Sequence, residues 1–171
     1  MYSSVGGVQT VKVLTAGAPA TTTTTTSEQA LLTFTIPANT LSVNGSSLRI
    51  TYFAHTAANG NNKTVKVRIG GLAGTVVYTG VAAAMNNQDV ILHAPVVVTR
   101  TGATTATTYG YQVYIADKSS GGVAGNGTYT DRAAAVTWAN ANDLVITATT
   151  PTAAGDLTLD SYIVELLLPP S

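Results

Sequence analysis

The chain has 171 residues, and its 8 Lys and Arg residues are balanced by 8 Asp and Glu residues. Because the net charge is +0 and only 9% of residues are charged, no electrostatic field draws the chain to nucleic acid or acidic lipid. The lack of cysteine excludes disulfides, thiolate catalysis and cysteine metal sites. There is no signal-peptide core and no run of roughly 18 apolar residues. We therefore expect a soluble chain, made in a cytoplasm, that binds neither nucleic acid nor membrane.

The low fraction of charged residues indicates what kind of surface the folded chain has. Soluble domains contain roughly 25% charged residues on average, so Thr, Ser, Asn and Gly must cover much of the exterior here. Such a surface loses little hydration energy when it packs against another subunit. The length fits a single all-β domain, and we expect other subunits to cover part of its surface.

The N-terminal residues 1–27 differ in composition from the rest of the chain. The short possible strand VQTVKVL is followed by a run of threonines, whose β-branched side chains favour an extended linker or edge strand over a helix. We predict an extended N-terminal arm over residues 1–27 and a β domain over residues 28–171. A disordered leader without a role is the alternative. The candidate interaction residues of the arm are Thr21, Thr22, Thr23, Thr24, Thr25 and Thr26.

From Leu31 onward, apolar residues alternate with polar ones. In KTVKVRIGG, Val65, Val67 and Ile69 share one side, which predicts a strand with one buried face. Turn residues separate further strands at intervals of roughly 8–12 residues. The segment GVAAAMNNQD could form at most one turn of helix. The chain therefore contains about eight or nine strands, which predicts an all-β, jelly-roll-like antiparallel β-sandwich. The other strands are LLTFTIP, SLRITYFA, GTVVYTG, QDVILHAPVVVTR, YGYQVYIAD, AAAVTWA, DLVITATT and LTLDSYIVELLL.

The connection between LLTFTIP and SLRITYFA is predicted to be wide. Pro37 belongs at a strand end because it has a fixed φ and no N–H. Asn39, Asn44 and Gly45 suit turns that include positive φ. The segment therefore predicts a connection between strands with no reactive group in it.

Trp138 and the C-terminal strand are both predicted to be buried. Trp138, in AAAVTWA, is predicted to lie in the core. In the C-terminal IVELLLPPS, both faces of the strand are apolar around Glu165. Such a strand is either central in the sandwich or buried between subunits.

A Gly-rich segment, SSGGVAGNGTYTD at residues 119–131, is the longest predicted loop. Loop tips carry recognition more often than rigid strands do, and Tyr and Arg are over-represented in binding hot spots. Tyr129 and Arg132 are therefore candidate interaction residues, with a plain solvent loop as the alternative. His55 and His93 do not have the spacing of a metal or catalytic site and are predicted surface or interface residues.

The acidic residues sit mostly beside Gly, Asn or Ser, where Asp commonly caps turns. Two alternatives stay open. The fold could bring two carboxylates together for glycoside hydrolysis, or Asp156 and Asp160 could join oxygen ligands from loops such as NGNN at residues 59–62 in a calcium site. No nucleophile elbow or phosphate-binding pattern is present. We expect no catalytic residue, no metal site and no cofactor.

Two segments resemble a pattern common in tailed-bacteriophage virion proteins. They are TIPANTLSVNGSSLRITYFAHTAANGNNKTVKVRIGG, residues 35–71, and NDLVITATTPTAAGDLTLDSYIVEL, residues 142–166. In that family they belong to jelly-roll or sandwich domains of capsid decoration (cement) proteins, head fibres and tail appendages. The middle of the chain, from about Leu72 to Ala141, carries no part of the pattern.

The resemblance implies a non-enzymatic virion protein at the capsid surface. A capsid decoration protein of this kind would clamp neighbouring major capsid subunits as a homotrimer, with the arm lying along the capsid or a sister subunit. The alternative is a tail or head-fibre module whose loops bind host surface carbohydrate. A carbohydrate-active enzyme on a jelly roll is a third interpretation, and it needs two carboxylates within about 5–10 Å of each other.

Overall fold

The computed structural model describes residues 10–57, 59–82, 90–111, 113–116 and 129–169; for residues 81–82, 90–94, 113–116 and 129–132 it describes the backbone alone. Every regular element in these residues is a β-strand. The described strands are β1 (Thr10–Gly17), β2 (Thr21–Thr22), β3 (Gln29–Ile36), β4 (Ser47–Thr56), β5 (Lys63–Ile69), β6 (Thr75–Ala82), β7 (Val90–Gly102), β8 (Thr105–Tyr111), β9 (Val113–Ala116), β10 (Tyr129–Ala135), β11 (Asn142–Thr149) and β12 (Leu157–Leu168).

The strands form an antiparallel β-sandwich with the pairing of a jelly roll. β1 pairs with β12, β3 with β11, β4 with β7 and β5 with β6, which are the nested pairs of one long hairpin. Pairing of β12 with β4 and of β11 with β5 rolls this hairpin into two sheets. The large sheet has the order β1-β12-β4-β7-β8-β10, and the small sheet has the order β3-β11-β5-β6. The predicted all-β, jelly-roll-like sandwich is confirmed.

The remaining strands widen the large sheet to eight strands, so the described residues contain 12 strands where eight or nine were predicted for the whole sandwich. β8 pairs with β7, β10 pairs with β8, and the short β9 pairs with β7 where β8 has ended. At this side the Thr75 hydroxyl of β6 donates to the Ala135 carbonyl of β10 over 2.9 Å, which links the two sheets.

The core lies between the sheets. Every second residue from Leu48 to Ala54 in β4 is buried, as is every second residue from Val65 to Ile69 in β5. Tyr52 and Tyr78 are the largest fully buried side chains among the described residues. Burial of each large apolar side chain stabilises the fold by roughly 1.5–3 kcal/mol, so this alternation is sufficient to set which face of each strand turns inward.

The predicted wide connection between β3 and β4 is present, and two of its residues have positive φ. Asn39 has φ 60° and Gly45 has φ 90°, as the turn chemistry predicted. The connection is held by Arg100 of β7, whose carbonyl accepts from the Gly45 N–H over 2.9 Å and whose guanidinium donates to the Leu41 carbonyl. The segment is therefore a scaffold loop tied to the large sheet.

The described part of the predicted arm is extended and runs along its own sandwich. β1 forms the edge of the large sheet beside β12, with a register shift between Val13 and Thr15. β2 pairs with β12 at Thr158 and Leu159. Residues 10–22 therefore contribute strands to the large sheet, and the division of the chain at residue 27 stays a prediction.

Other predicted elements agree in place and differ in detail. β12 has the predicted bounds and lies between β1 and β4, so the C-terminal strand is central in its sheet. YGYQVYIAD is divided between β8 and β9. Trp138 is buried as predicted but lies in the turn after β10, where its indole N–H donates to the Thr105 carbonyl over 3.3 Å.

Residues 83–89 of GVAAAMNNQD, the segment predicted to be at most a helical turn, lie outside the described residues. No described helix has the length and hydropathy of a membrane span.

Candidate interaction surface

The two sheets present different outer faces, meaning the faces turned away from the core. The outer face of the small sheet is polar and carries a charged cluster around Glu28, which precedes β3. One Glu28 oxygen accepts from Arg68 Nε over 2.7 Å, and the other accepts from Lys66 Nζ over 2.8 Å. The buried Thr147 hydroxyl donates to the same carboxylate over 2.7 Å.

These contacts shift the titration of Glu28. Hydrogen bonds from Arg68 outweigh the opposing effect of burial and, with help from Lys66 and Thr147, lower the pKa of Glu28 from 4.5 to about 2. The carboxylate therefore stays ionised wherever the protein is folded near neutral pH. The Glu28 carboxylate links the start of β3 to β5 and β11, so its charge stabilises the packing of these strands.

The outer face of the large sheet carries most of the exposed apolar surface. Of the eight large apolar side chains exposed among the described residues, six lie on it, and the other two, Val43 and Leu72, lie in connections. Because monomeric soluble proteins seldom expose large contiguous apolar patches, such a face indicates a contact surface. The six are Val11, Val13, Phe53, Tyr109, Tyr111 and Ile163.

Strand register places these residues side by side. Val13 of β1 is opposite Glu165 of β12, Glu165 is opposite Arg49 of β4, and Arg49 is opposite Val97 of β7. Val97 is in turn opposite Tyr109 of β8. A row of side chains thus crosses five strands of the large sheet, with one acidic and one basic residue flanked by apolar residues on both sides.

The charged pair in this row is joined within the chain. Arg49 Nε donates to Glu165 Oε2 over 2.6 Å, and the Arg49 side chain is 41% exposed. The hydrogen bond to Arg49 lowers the pKa of Glu165 against the effect of burial, and the bond to Glu165 raises the pKa of Arg49. Both residues are therefore charged at neutral pH, and the face carries no net charge at its centre.

The predicted threonine residues have different environments. Thr23 is 2% exposed, and its hydroxyl accepts from the Gly155 N–H over 3.1 Å. Thr22 is exposed and shares a hydrogen bond of 2.8 Å with the Thr158 hydroxyl of β12. The structure thus does not bring the run together as one surface. Thr21 is half-buried in β2, and Thr24, Thr25 and Thr26 are exposed.

The two residues predicted at the end of the Gly-rich loop lie on a strand. Tyr129 begins β10, where its backbone is in register with Tyr111, and Arg132 is in register with Thr108. The side chains of both lie outside the described residues, as do residues 119–128 of the loop. Their role in recognition stays a prediction.

The loop considered for calcium contacts one of the two predicted acids. Asp156 is 4% exposed and accepts from the side-chain amides of Asn59 and Asn61, each over 2.7 Å. The cation in this cluster is Lys63, which is 1% exposed and donates to Asn59 Oδ1 over 2.7 Å and to the Ala57 carbonyl over 3.3 Å. Burial lowers the pKa of Lys63, and the charge of Asp156 opposes that shift. One of the oxygens that could bind a metal ion, Asn59 Oδ1, therefore already accepts a hydrogen bond from the ammonium group of Lys63.

The second acidic residue considered for calcium, Asp160, contacts a histidine instead of this loop. Asp160 lies on β12 beside His55 of β4, with His55 Nδ1 2.8 Å from Asp160 Oδ1. In the part of the chain whose side chains are described, no group of three or more His, Cys, Asp or Glu residues could hold a metal ion. His93, Asp89, Asp117 and Asp131 have no described side chains.

Sequence reasoning singled out loops and the threonine run and missed the outer face of the large sheet. Some signals were present, since Phe53 broke the alternation of SLRITYFA and the C-terminal strand was apolar on both sides. Val13, Tyr109 and Tyr111 gave no comparable signal, because their placement on one face depends on which strands pair.

No protein-family model and no curated protein matches the chain. Among solved structures it is similar to the CBM2 module of Lactobacillus casei BL23 phage J-1 evolved Dit, at 12% identity and a TM-score of 0.41, over 81% of this chain and 70% of that one. It is similar to peanut lectin at 8% identity and a TM-score of 0.38, over 98% and 95%. It is also similar to a chain of infectious bursal disease virus Gx strain at 14% identity and a TM-score of 0.35, over 92% of this chain and 32% of that chain. These scores are low, so function is argued from the chain's own residues.

Proposed function

We propose that this chain is a non-enzymatic structural protein of a bacteriophage virion, of the capsid decoration class. It binds major capsid subunits at the head surface, clamps neighbouring subunits and stabilises the shell. The observation that supports this proposal is the apolar outer face of the large sheet, which is suited to contact with another protein surface. The low charge of the chain supports it too, because few charged groups lose water on assembly.

Several charged residues of the described surface have structural partners. Glu28 joins β5 and β11 to the start of β3, and Glu165 joins β12 to Arg49 of β4. Asp143 accepts from the Thr35 hydroxyl of the neighbouring strand over 2.7 Å. These roles favour a framework protein over a hydrolase, whose carboxylates would face a cleft that admits substrate.

The proposal includes self-association. The resemblance to decoration proteins implies a homotrimer, and repetition over a symmetric shell adds up weak individual contacts through multivalency. Residues 1–27 are proposed to contribute to capsid attachment. The described threonines available for such a contact are those exposed in the run, and Thr23 is excluded because its side chain is buried.

A second candidate function has a specific observation in its favour. Phe53, Tyr109 and Tyr111 are exposed aromatic side chains on the same sheet face. Aromatic rings offer rigid, amphipathic contact surfaces that suit partners with both apolar and polar groups, including sugar rings. A tail or head-fibre module that binds host carbohydrate would use this face rather than loop tips, and it predicts measurable binding to host glycans.

Immunogold labelling of intact virions with an antibody against this chain tests the proposal. Gold distributed over the head is the expected result. Gold confined to the tail tip or to fibres would replace the decoration function by the carbohydrate-binding alternative. Absence of gold, with a major capsid antibody as the positive control, would contradict a virion role.

A further inference from the structure

The row of side chains at the centre of the large sheet has a self-complementary order. Across β1, β12, β4 and β7 its members alternate in character as apolar, acidic, basic and apolar: Val13, Glu165, Arg49 and Val97. Reading the row from the opposite end exchanges the two charges and leaves the apolar positions apolar. Such an order suits a contact with a second, reversed copy of itself.

We propose that two copies of this chain pack face to face through the outer faces of their large sheets, related by a two-fold axis that runs parallel to the strands midway between β12 and β4. The axis places β12 over β4 of the other copy and β1 over its β7. Arg49 then faces the partner's Glu165, and Val13 faces the partner's Val97. Sheets stacked in this way keep their strands aligned, as in ordinary β-sandwich packing.

Charge complementarity identifies a second copy as the occupant. The centre of the exposed face holds Arg49 and Glu165 in adjacent strands, 2.6 Å apart at their nearest atoms. A second pair on the same two strands, His55 and Asp160, lies farther along the face, with His55 Nδ1 2.8 Å from Asp160 Oδ1. The two-fold axis stacks each charge on its opposite, so four charges alternate in sign and none is buried alone. Pairing and hydrogen bonding of this kind are required for charges to be tolerated in an interface. A two-fold axis in the plane of the face, perpendicular to the strands and passing through this row, would instead place Arg49 over the partner's Arg49 and Glu165 over the partner's Glu165.

The size of the face is compatible with a stable contact. Four strands about 4.8 Å apart span roughly 19 Å, and a strand as long as β4, with 10 residues, spans roughly 34 Å. The overlap is therefore roughly 650 Å² per copy, against the about 800 Å² per partner of a standard interface. Val13, at 56% exposure, and Ile163, at 42%, would lose contact with water within this area.

The proposal rests on the proposed function and deepens it by naming the surface of self-contact, which leaves the other surfaces of each copy to bind capsid subunits. It is tested on the purified chain alone. An isologous contact uses each face once, so it produces dimers, or hexamers when a trimer contact lies elsewhere. Light scattering after size exclusion should therefore give an even multiple of 17.4 kDa. A monomer or an isolated trimer at roughly 100 μM, where a standard interface is saturated, would overturn the proposal whatever the gold labelling shows.

Two single charge reversals test the axis. Arg49→Glu alone and Glu165→Arg alone each place like charges together in the face-to-face contact and should weaken it at least tenfold. Mixing the two variants makes every cross-copy contact complementary, so a heterodimer with one copy of each should form. An interaction confined to one chain would not respond to mixing, and a mixture that shows only the sizes of its components would refute the arrangement.

A matched pair of apolar variants controls for surface charge in general. Val13→Asp places an acid against the partner's Val97 and should weaken self-association at least tenfold. Val43 is equally exposed, at 56%, but lies in the connection between β3 and β4. Val43→Asp should leave the association constant unchanged. Equal effects of the two variants, with both chains folded by circular dichroism, would count against the proposed face.

Discussion

At the scale of single residues, two charged side chains with little exposure, Glu28 and Lys63, are each held in the fold by several hydrogen bonds. Glu28 holds strands together on the outer face of the small sheet, and the buried Lys63 donates to oxygens of Ala57 and Asn59 in the loop cluster that contains Asp156. The partners of Glu28 lie far from it in sequence, so spacing could not assign its role. The oxygens that Lys63 contacts belong to the loop just before it, and only the folded structure places Asp156 near them.

Replacement of Glu28 tests the first case. Its pKa is lowered on folding, so its contribution is fully present above the ordinary value of 4.5 and is lost as pH falls toward about 2. Glu28→Gln should cost about 2 kcal/mol of unfolding free energy at pH 7, after allowance for solvent screening. The difference from wild type should shrink between pH 4.5 and 2 in urea titrations. Thr33→Val, at an exposed position of β3 on the same sheet face, is the control and should cost less than about 0.5 kcal/mol. A pH-independent cost for Glu28→Gln would contradict the assigned ion pairs.

Replacement of Lys63 tests the second case. Lys63→Met removes the buried donor to Ala57 and Asn59 and the positive charge whose field reaches Asp156, at an expected cost of about 3 kcal/mol. Adding Asp156→Asn should recover part of that loss, since the unpaired charge disappears. Lys12→Met, at an exposed position of β1, should change stability by less than about 0.5 kcal/mol. Chemical denaturation of all four chains measures these differences, and equal losses for Lys63→Met and Lys12→Met would disprove the buried role.

At the scale of elements, alternation predicted strands well and predicted partners poorly. The pattern of LTLDSYIVELLL gave β12 its bounds, and the turn residues placed Asn39 and Gly45 at positive φ. Alternation states which residues share a side of one strand, and it contains no information on which strand lies next to it. The jelly-roll order, the place of β1 beside β12 and the row from Val13 to Tyr109 all required long-range pairing.

The threonine run shows the same limit within one short element, and it gives a prediction. Because Thr23 accepts from the Gly155 and Leu157 N–H groups through its hydroxyl, Thr23→Val should cost about 1 kcal/mol of stability. Thr26→Val, at an exposed position three residues later, should be neutral for folding. Thermal unfolding followed by circular dichroism distinguishes them. Similar melting temperatures for both variants would show that the run is not anchored at Thr23.

At the scale of the whole molecule, the sandwich separates its chemistry between two faces. The outer face of the small sheet carries charged residues that bind one another, and that of the large sheet carries six of the exposed large apolar side chains with one charged pair at the centre. A chain with a net charge of +0 gains little from long-range attraction, so close apolar contact must supply most of its binding energy. This asymmetry favours a protein that works by attachment.

The most direct measurement is an electron cryomicroscopy reconstruction of the virion at a resolution that separates β-strands. We predict density for this sandwich on the head shell, with the outer face of the large sheet covered by another protein chain and the outer face of the small sheet in solvent. A virion that carries the chain with the large-sheet face open to solvent would contradict the assigned contact surface, and a virion without the chain would contradict the proposed function itself.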